Sequence, residues 1–224
     1  MAKTLKLTSI IVFLFFTKTS LFSQFGIGGG LSGLYGFGYP KSFGGLNLMV
    51  ELPQDDEMTY FGKLTYLFPR QDDIIYGEYL NNNNPLLPGQ NFNFNFSMDY
   101  FLLEGGKRFY IGDGYESGLA GYGSSNFVLI FNSVSKNYQN SEYDIESFNT
   151  LTSPERGSLF SLGLGGNIGG KYTVPSLNGA FYADLGINYI LLQPISSNAT
   201  GSNGLLFLKP LFFTFNVGFR KNIY

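Results

Sequence analysis

The chain of 224 residues contains no cysteine, no histidine and no tryptophan, and only 13% of its residues are charged. Without cysteine it can form neither disulfides nor thiolate metal sites, and it cannot be processed as a lipoprotein. Without histidine it lacks the most frequent general base of enzymes and the imidazole ligand of zinc. Tryptophan is the residue often found at membrane interfaces, but tyrosine also serves there, and the chain has 16 tyrosines.

The longest apolar run lies at the N-terminus, behind a basic head. Met1–Lys6 carries two lysines, and the apolar stretch Leu7–Phe16 has the length of a signal-peptide core and is too short to span a bilayer as a helix. The pattern predicts a signal peptide at residues 1–23, cleaved after Ser23 or a few residues away, and a mature domain at residues 24–224. An uncleaved N-terminal membrane anchor is the alternative.

The predicted mature chain is acidic and rich in aromatic residues. Loss of the three lysines of the leader leaves 11 basic against 16 acidic side chains, a net charge of −5. This balance argues against a nucleic-acid-binding surface. Aromatic residues make up 18% of the sequence, and their spread through every segment favours a lipid-facing wall. About 200 residues suit a single domain.

Short segments of alternating residues follow the leader and predict β-strands. Asn91–Tyr100 alternates asparagine, serine or aspartate with phenylalanine, methionine or tyrosine without a break. In the last segment, Phe213, Phe215 and Val217 share one face, while Thr214 and Asn216 share the other. Lipid on one side and a polar lumen on the other produce this pattern.

The alternation predicts eight strands, an even number as bacterial outer-membrane barrels require. Their expected bounds are Gln24–Phe37, Leu46–Leu52, Met58–Phe68, Asn91–Ile111 with a bulge near Leu102 and Leu103, Ser117–Phe131, Gly157–Lys171, Ala180–Leu192 and Leu205–Tyr224.

The predicted connections alternate in length. The long ones are Gly38–Gly45, Pro69–Gln90, Asn132–Arg156 and Gln193–Gly204, and the short ones are Pro53–Glu57, Gly112–Glu116 and Tyr172–Gly179. We therefore predict an all-β, antiparallel, up-and-down transmembrane barrel in the bacterial outer membrane, with both termini in the periplasm. A secreted soluble β-sandwich that serves as a binding module is the alternative.

Several segments resemble known families. The leader, the glycine-rich first strand and the closing run Phe213–Arg220 resemble small outer-membrane barrels of the OmpA/PorT-like type. Leu103-Glu104-Gly105-Gly106 and Leu119-Ala120-Gly121-Tyr122 are similar to the TraO family of conjugative transposons. The second resemblance implies an outer-membrane component of a conjugal-transfer apparatus.

Most enzymatic interpretations fail on the residues available. Small barrel enzymes such as lipid A deacylases, palmitoyltransferases, phospholipases and omptin-like proteases depend on histidine, so we predict no catalytic residues. Gly28–Gly33 matches G-x-G-x-x-G, but a leader precedes it and a strand continues it, which argues against nucleotide binding. The acidic runs Asp55–Glu57 and Asp72-Asp73 are interpreted as solvated charge, and no cofactor or metal is expected.

Inward charges form the candidate site. An eight-stranded barrel has a bore just wide enough for its own side chains, so charges inside it should pair. The expected lumen charge network comprises Glu51, Lys63, Glu104, Arg108, Asp184 and Arg220, with Asp184 and Arg220 as proposed partners.

These features favour a non-enzymatic outer-membrane barrel that acts as a structural or interaction component of an envelope assembly for conjugal transfer or secretion. Its expected partners are outer-membrane lipid and envelope proteins. A narrow passive channel is the second hypothesis, and a barrel enzyme based on carboxylates is the third.

Overall fold

The computed structural model describes residues 24–37, 42–79, 90–116, 118–138, 155–192 and 210–223. The predicted signal peptide, residues 1–23, lies outside the described residues, so its cleavage stays a prediction. The same holds for residues 205–209, the predicted start of the last strand.

Eight antiparallel strands form one closed barrel in which each strand pairs with the next and the last pairs with the first. They are β1 Phe25–Gly36, β2 Ser42–Pro53, β3 Met58–Tyr79, β4 Gln90–Gly112, β5 Leu119–Tyr138, β6 Glu155–Val174, β7 Gly179–Leu192 and β8 Leu211–Ile223. A single 3₁₀ turn, Pro175–Leu177, joins β6 to β7. The predicted fold class is confirmed. No helix in the described ranges is long and apolar enough to cross a membrane.

Side chains alternate between the outer wall and the interior, as the sequence predicts. On β8, Phe215 is 50% exposed while its neighbour Asn216 is 1% exposed. The same alternation continues around the barrel. Most of its large exposed side chains are aliphatic or aromatic; examples are Leu31, Leu48, Phe127, Ile168, Leu185 and Ile187. A wall of this composition is stable only against lipid.

The two rims of the barrel differ. The turn rim carries the first residue of β1, Phe25, the last residue of β8, Ile223, and the connections 54–57, 113–118 and 175–178. The hairpin rim, at the opposite end, carries the connections 37–41, 80–89, 139–154 and 193–210. The last three agree with the predicted alternation of short turns and long loops. The predicted long loop Gly38–Gly45 is wrong, because β2 begins at Ser42 and leaves only five residues between the strands.

Strands β3 to β6 are longer than the sequence pattern predicts. They have 20–23 residues, against 12–14 in the other strands. Much of the predicted loop Pro69–Gln90 is strand, since β3 continues to Tyr79 and β4 begins at Gln90. The predicted loop Asn132–Arg156 likewise loses its first and last residues to β5 and β6. Pro69 suggests the end of a strand, but it lies at the register shift between Leu67 and Arg70, where proline is tolerated within a strand.

Strand β4 contradicts two predictions. It pairs with β5 from Phe94↔Tyr138 to Gly112↔Ala120 without a register shift, so the expected bulge near Leu102 and Leu103 does not exist. The irregularity lies on β3, between Leu67 and Arg70. With unbroken parity, Met98 and Tyr100 point inward with 0% and 2% exposure, instead of facing lipid. The pattern misled because the interior at this level is apolar.

The register of β8 can be tested by placing a charge on its lipid face. Because an arginine near the bilayer midplane costs about 2–4 kcal/mol, Phe215→Arg should reduce folding into lipid vesicles strongly. Phe215→Leu is the matched control and should fold normally. Folding is measured by the mobility difference between boiled and unboiled samples on gels. Equal folding of the two variants would show that Phe215 does not face lipid.

Candidate functional site

The candidate site is the barrel interior, and the structure places all six predicted charges in it. Glu51 comes from β2, Lys63 from β3, Glu104 and Arg108 from β4, Asp184 from β7 and Arg220 from β8, and each is at most 2% exposed. Strand parity alone turns these side chains inward. The structure divides them into a four-residue cluster and a separate pair.

Glu51 is the centre of the cluster. Its Oε2 lies 2.6 Å from Nη1 of Arg220 and 3.3 Å from Nη1 of Arg108. Its Oε1 accepts hydrogen bonds from the hydroxyls of Thr59 and Tyr110, both at 2.6 Å. One carboxylate on β2 therefore joins two guanidinium groups and two hydroxyls that come from β3, β4 and β8.

Asp184 extends the cluster across the barrel. Its Oδ1 accepts a hydrogen bond from Asn216 at 2.6 Å, its Oδ2 accepts one from Tyr122 at 3.0 Å, and Arg108 Nη2 lies 3.7 Å away. The expected pairing of Asp184 with Arg220 is wrong. Arg220 sits near the turn rim and pairs with Glu51, while Asp184 lies four residues further along a neighbouring strand, opposite Asn216.

Lys63 and Glu104 form the separate pair. They are cross-strand neighbours on β3 and β4, and Lys63 Nζ lies 3.1 Å from Glu104 Oε1. Glu104 Oε2 also accepts a hydrogen bond from Asn126 at 3.2 Å. Each of the six predicted charges thus lies near an opposite charge in the described interior. This pairing is expected because an unpaired ion in so narrow a bore would be strongly destabilising.

The sequence prediction omitted Lys171 and the tyrosines. Lys171 on β6 is 3% exposed, and its Nζ donates to the backbone carbonyl of Tyr115 and to the hydroxyl of Thr173, both at 2.8 Å. Lys171 lies four residues after Asn167 on β6, and Asn167 also points inward. The alternation along β6 therefore indicates that Lys171 points inward. Tyr182 reaches across the barrel to donate to Asn47 at 2.7 Å, a contact that no local pattern shows.

Tyr115 enters the barrel from the connection between β4 and β5. We name this connection, residues 113–118, the Tyr115 turn. Tyr115 is 2% exposed, its ring lies 4.0 Å from the guanidinium carbon of Arg220, and its carbonyl accepts from Arg220 Nη2 at 3.2 Å. The backbone turns inward at glycines with positive φ angles, which other residues rarely adopt. These angles are 101° at Gly112, 73° at Gly114 and 54° at Gly118.

The Tyr115 turn is attached to other elements of the turn rim. The amide of Tyr115 donates to the carbonyl of Asp56 at 2.8 Å, in the connection between β2 and β3. The amide of Thr173 on β6 donates to the carbonyl of Gly118 at 2.9 Å. These bonds hold the Tyr115 turn over the mouth of the barrel.

The hairpin end of the interior has the opposite chemistry. A cluster that we name the apolar layer fills it with buried side chains from seven strands: Leu34, Phe43, Leu67, Met98, Tyr100, Leu102, Val128, Ile130, Ile190 and Phe212. Each of these side chains is at most 6% exposed. The interior therefore has a charged half toward the turn rim. The half toward the hairpin rim is mainly apolar, although Thr65, Asn132 and Ser161 are also buried at its level.

This arrangement can hold the barrel together, and its buried carboxylates already have partners. Glu51, Glu104 and Asp184 are already engaged by cations and hydrogen-bond donors. In the turn at 54–57, Asp55 Oδ1 accepts from the amides of Glu57 and Met58. Across the described ranges, no three acidic side chains come together as metal ligands. The side chains of Asp72 and Asp73 lie outside the described residues.

Comparison with known proteins rests on the fold. No protein-family model and no curated protein matches the sequence. The structure is similar to a major outer membrane protein from Thermus thermophilus, with a TM-score of 0.51 and 13% identity over 88% of this chain and 99% of that one. It is also similar to Neisserial surface protein A, with a TM-score of 0.50 and 13% identity over 89% and 96% of the two chains.

A third structure, Ail of Yersinia pestis, reaches a TM-score of 0.46 with 16% identity over 89% of this chain and 98% of that one. The fold is that of small eight-stranded outer-membrane barrels. Together with its apolar outer wall, it makes the protein an outer-membrane barrel that lies in lipid.

A double-mutant cycle tests the partners of Arg220. Glu51→Gln should destabilise the barrel by about 3–5 kcal/mol, because Arg108 and Arg220 then lack their shared counter-ion. Adding Arg220→Met should recover part of that loss. The matched cycle with Asp184→Asn and Arg220→Met should give the smaller coupling, since these two side chains do not touch. Urea titrations in lipid vesicles supply the free energies, and a larger Asp184–Arg220 coupling would contradict the assignment.

Proposed function

We propose that the protein is a non-conducting outer-membrane barrel without catalytic activity, which serves as a membrane-anchored scaffold for interactions with other envelope or surface molecules. The observation that carries this proposal is the filled interior. Paired charges occupy one half and the apolar layer occupies the other. A bore filled in this way supports a structural role better than transport.

The hairpin rim supplies the interaction surface. Among the described residues, the pairing of β2 with β3 ends at Gly45↔Leu67, and the pairing of β6 with β7 ends at Leu162↔Leu192. The β3–β4 pairing nevertheless continues to Tyr79↔Gln90. Strands β3 to β6 thus continue as a four-stranded projecting sheet, which on β3 extends from Arg70 for about 30 Å along the strand.

The base of the projecting sheet is secured to the barrel. Arg70 Nη1 donates to the carbonyl of Ser42 at 2.7 Å and to its hydroxyl at 2.6 Å, at the first residue of β2. On the edge of β3 that follows its last described pair with β2, Pro69 lacks a backbone N–H and disfavours edge-to-edge aggregation. An anchored sheet with a protected edge suits a surface that binds partners through its faces and tip.

The orientation and the wider assembly belong to the same proposal. The turn rim, with both ends of the described chain, would face the periplasm, and the projecting sheet would lie outside the cell. A place in a conjugal-transfer or secretion assembly has support only from the short segments that resemble the TraO family. The identity of the bound partners decides between these assemblies.

Conductance measurements separate the scaffold from the narrow channel. Refolded protein in planar bilayers should show no steady conductance, because no continuous water path crosses the apolar layer. Later addition of an unrelated pore-forming peptide to the same bilayer provides the positive control. Reproducible unitary currents from the unmodified protein would favour the channel.

Shortening of the projecting sheet tests the interaction role. One variant joins Asp72 to Phe96 through Asn-Gly, and the other joins Ser135 to Arg156 in the same way; both pairs face each other in the register. Each variant should fold as a barrel, because the removed residues lie beyond it. Proteins that cross-link to the unmodified barrel in native outer membranes should be lost from at least one variant. Unchanged cross-linking in both would overturn the assigned surface.

A further inference from the structure

The barrel interior has two closures of different chemistry at its two ends. The apolar layer closes the hairpin end, and Tyr115 closes the turn end. Between them lie buried charged side chains of both signs: Lys63, Arg108, Lys171 and Arg220 with Glu51, Glu104 and Asp184. The half of the interior next to the Tyr115 turn is therefore charged, and polar groups are concentrated there.

We propose that these closures act as two seals in series with separate tasks. The apolar layer is the permeability barrier, and the Tyr115 turn is a stopper that keeps water out of the charged half of the interior. The proposal deepens the non-conducting scaffold function and rests on it. It predicts that removal of the stopper opens the polar half of the interior to one side of the membrane only.

The contacts of Tyr115 support the role of stopper. Its carbonyl accepts hydrogen bonds from both Lys171 and Arg220, and its ring covers the Arg220 guanidinium. Its ring also packs at 6.0 Å from that of Tyr110, so the side chain fills the mouth instead of lying along the rim.

The apolar layer supports the role of barrier. It has no charged member, and its side chains come from seven strands, so that it closes around nearly the whole circumference. Ions cannot cross a packed, dry region of this kind without solvation. The charge network, in contrast, has donors and acceptors that water could contact once the mouth is open.

Two positions on β5 report on the two halves of the interior. Ala120 is 2% exposed and lies in the cluster with Tyr110, Tyr115 and Tyr122, while Val128 is 0% exposed in the apolar layer. Both point inward, and both tolerate cysteine by size. The natural chain has no cysteine, so each engineered thiol is the only one present.

The experiment measures the reaction of Ala120→Cys and Val128→Cys with membrane-impermeant methanethiosulfonates, one anionic and one cationic, present on both sides of lipid vesicles. With the native turn, both thiols should be protected. With Tyr115→Gly, the Ala120→Cys thiol should react faster by about an order of magnitude or more, because the local structure that covers it is gone. Tyr115→Phe keeps the ring and is the matched control that retains protection. If Tyr115→Gly fails to fold, as judged by gel mobility, Tyr115→Ser is used instead, because serine is small and is common in turns.

The outcomes are distinct. Rapid reaction of the Ala120→Cys thiol with the native turn would show that Tyr115 seals nothing. Reaction of the Val128→Cys thiol, or steady conductance, after loss of Tyr115 would show that the apolar layer is not the barrier. Conductance of the unmodified protein would instead refute the scaffold function, so the two failures can be told apart.

Discussion

The structure depends on the satisfaction of charge inside a bore that has no room for bulk water. Glu51 meets this constraint by binding Arg108 and Arg220 and two hydroxyls at once. Each of these groups would be costly alone in an apolar enclosure, and together they compensate one another. Because the members come from different strands, the cluster also restrains the order and register in which the barrel closes.

The lipid and the interior impose opposite demands on the same strands. Outward positions can be almost any apolar side chain, because lipid is a fluid with no shape to match. Inward positions must fit one another in volume, charge and hydrogen bonding, as in any close-packed core. This difference explains why the outer wall repeats leucine, isoleucine and phenylalanine, whereas the interior combines tyrosine, asparagine, arginine and lysine in a layout that does not repeat.

Much of the architecture could be predicted because the alternation of β8 and β7 reflects a strong physical contrast. Phe215 and Asn216 could be assigned to opposite faces from their types alone, since only one of them tolerates lipid. Prediction failed on β4, where Met98 and Tyr100 look like lipid-facing residues but belong to the apolar layer. The hydrophobicity of a residue shows whether its side chain faces lipid or a polar lumen. It does not show whether an apolar side chain faces lipid or an apolar part of the lumen.

The sequence by itself determined that the chain would form strands, that they would be even in number, and that one face of most strands would meet lipid. It also determined that Glu51, Lys63, Asp184 and Arg220 would point inward, whereas the inward direction of Glu104 and Arg108 was predicted only through a bulge that does not exist. These properties follow from local alternation, which each strand shows without reference to the others. Only the tertiary structure decided that Arg220 binds Glu51 and not Asp184, that Lys171 joins the interior contacts, and that Tyr115 turns into the mouth. Such partners depend on closure of the barrel, which brings β2 and β8 together although Glu51 and Arg220 are 169 residues apart in the chain. Local periodicity gives the direction of a side chain, but only the closed barrel fixes which side chain it meets.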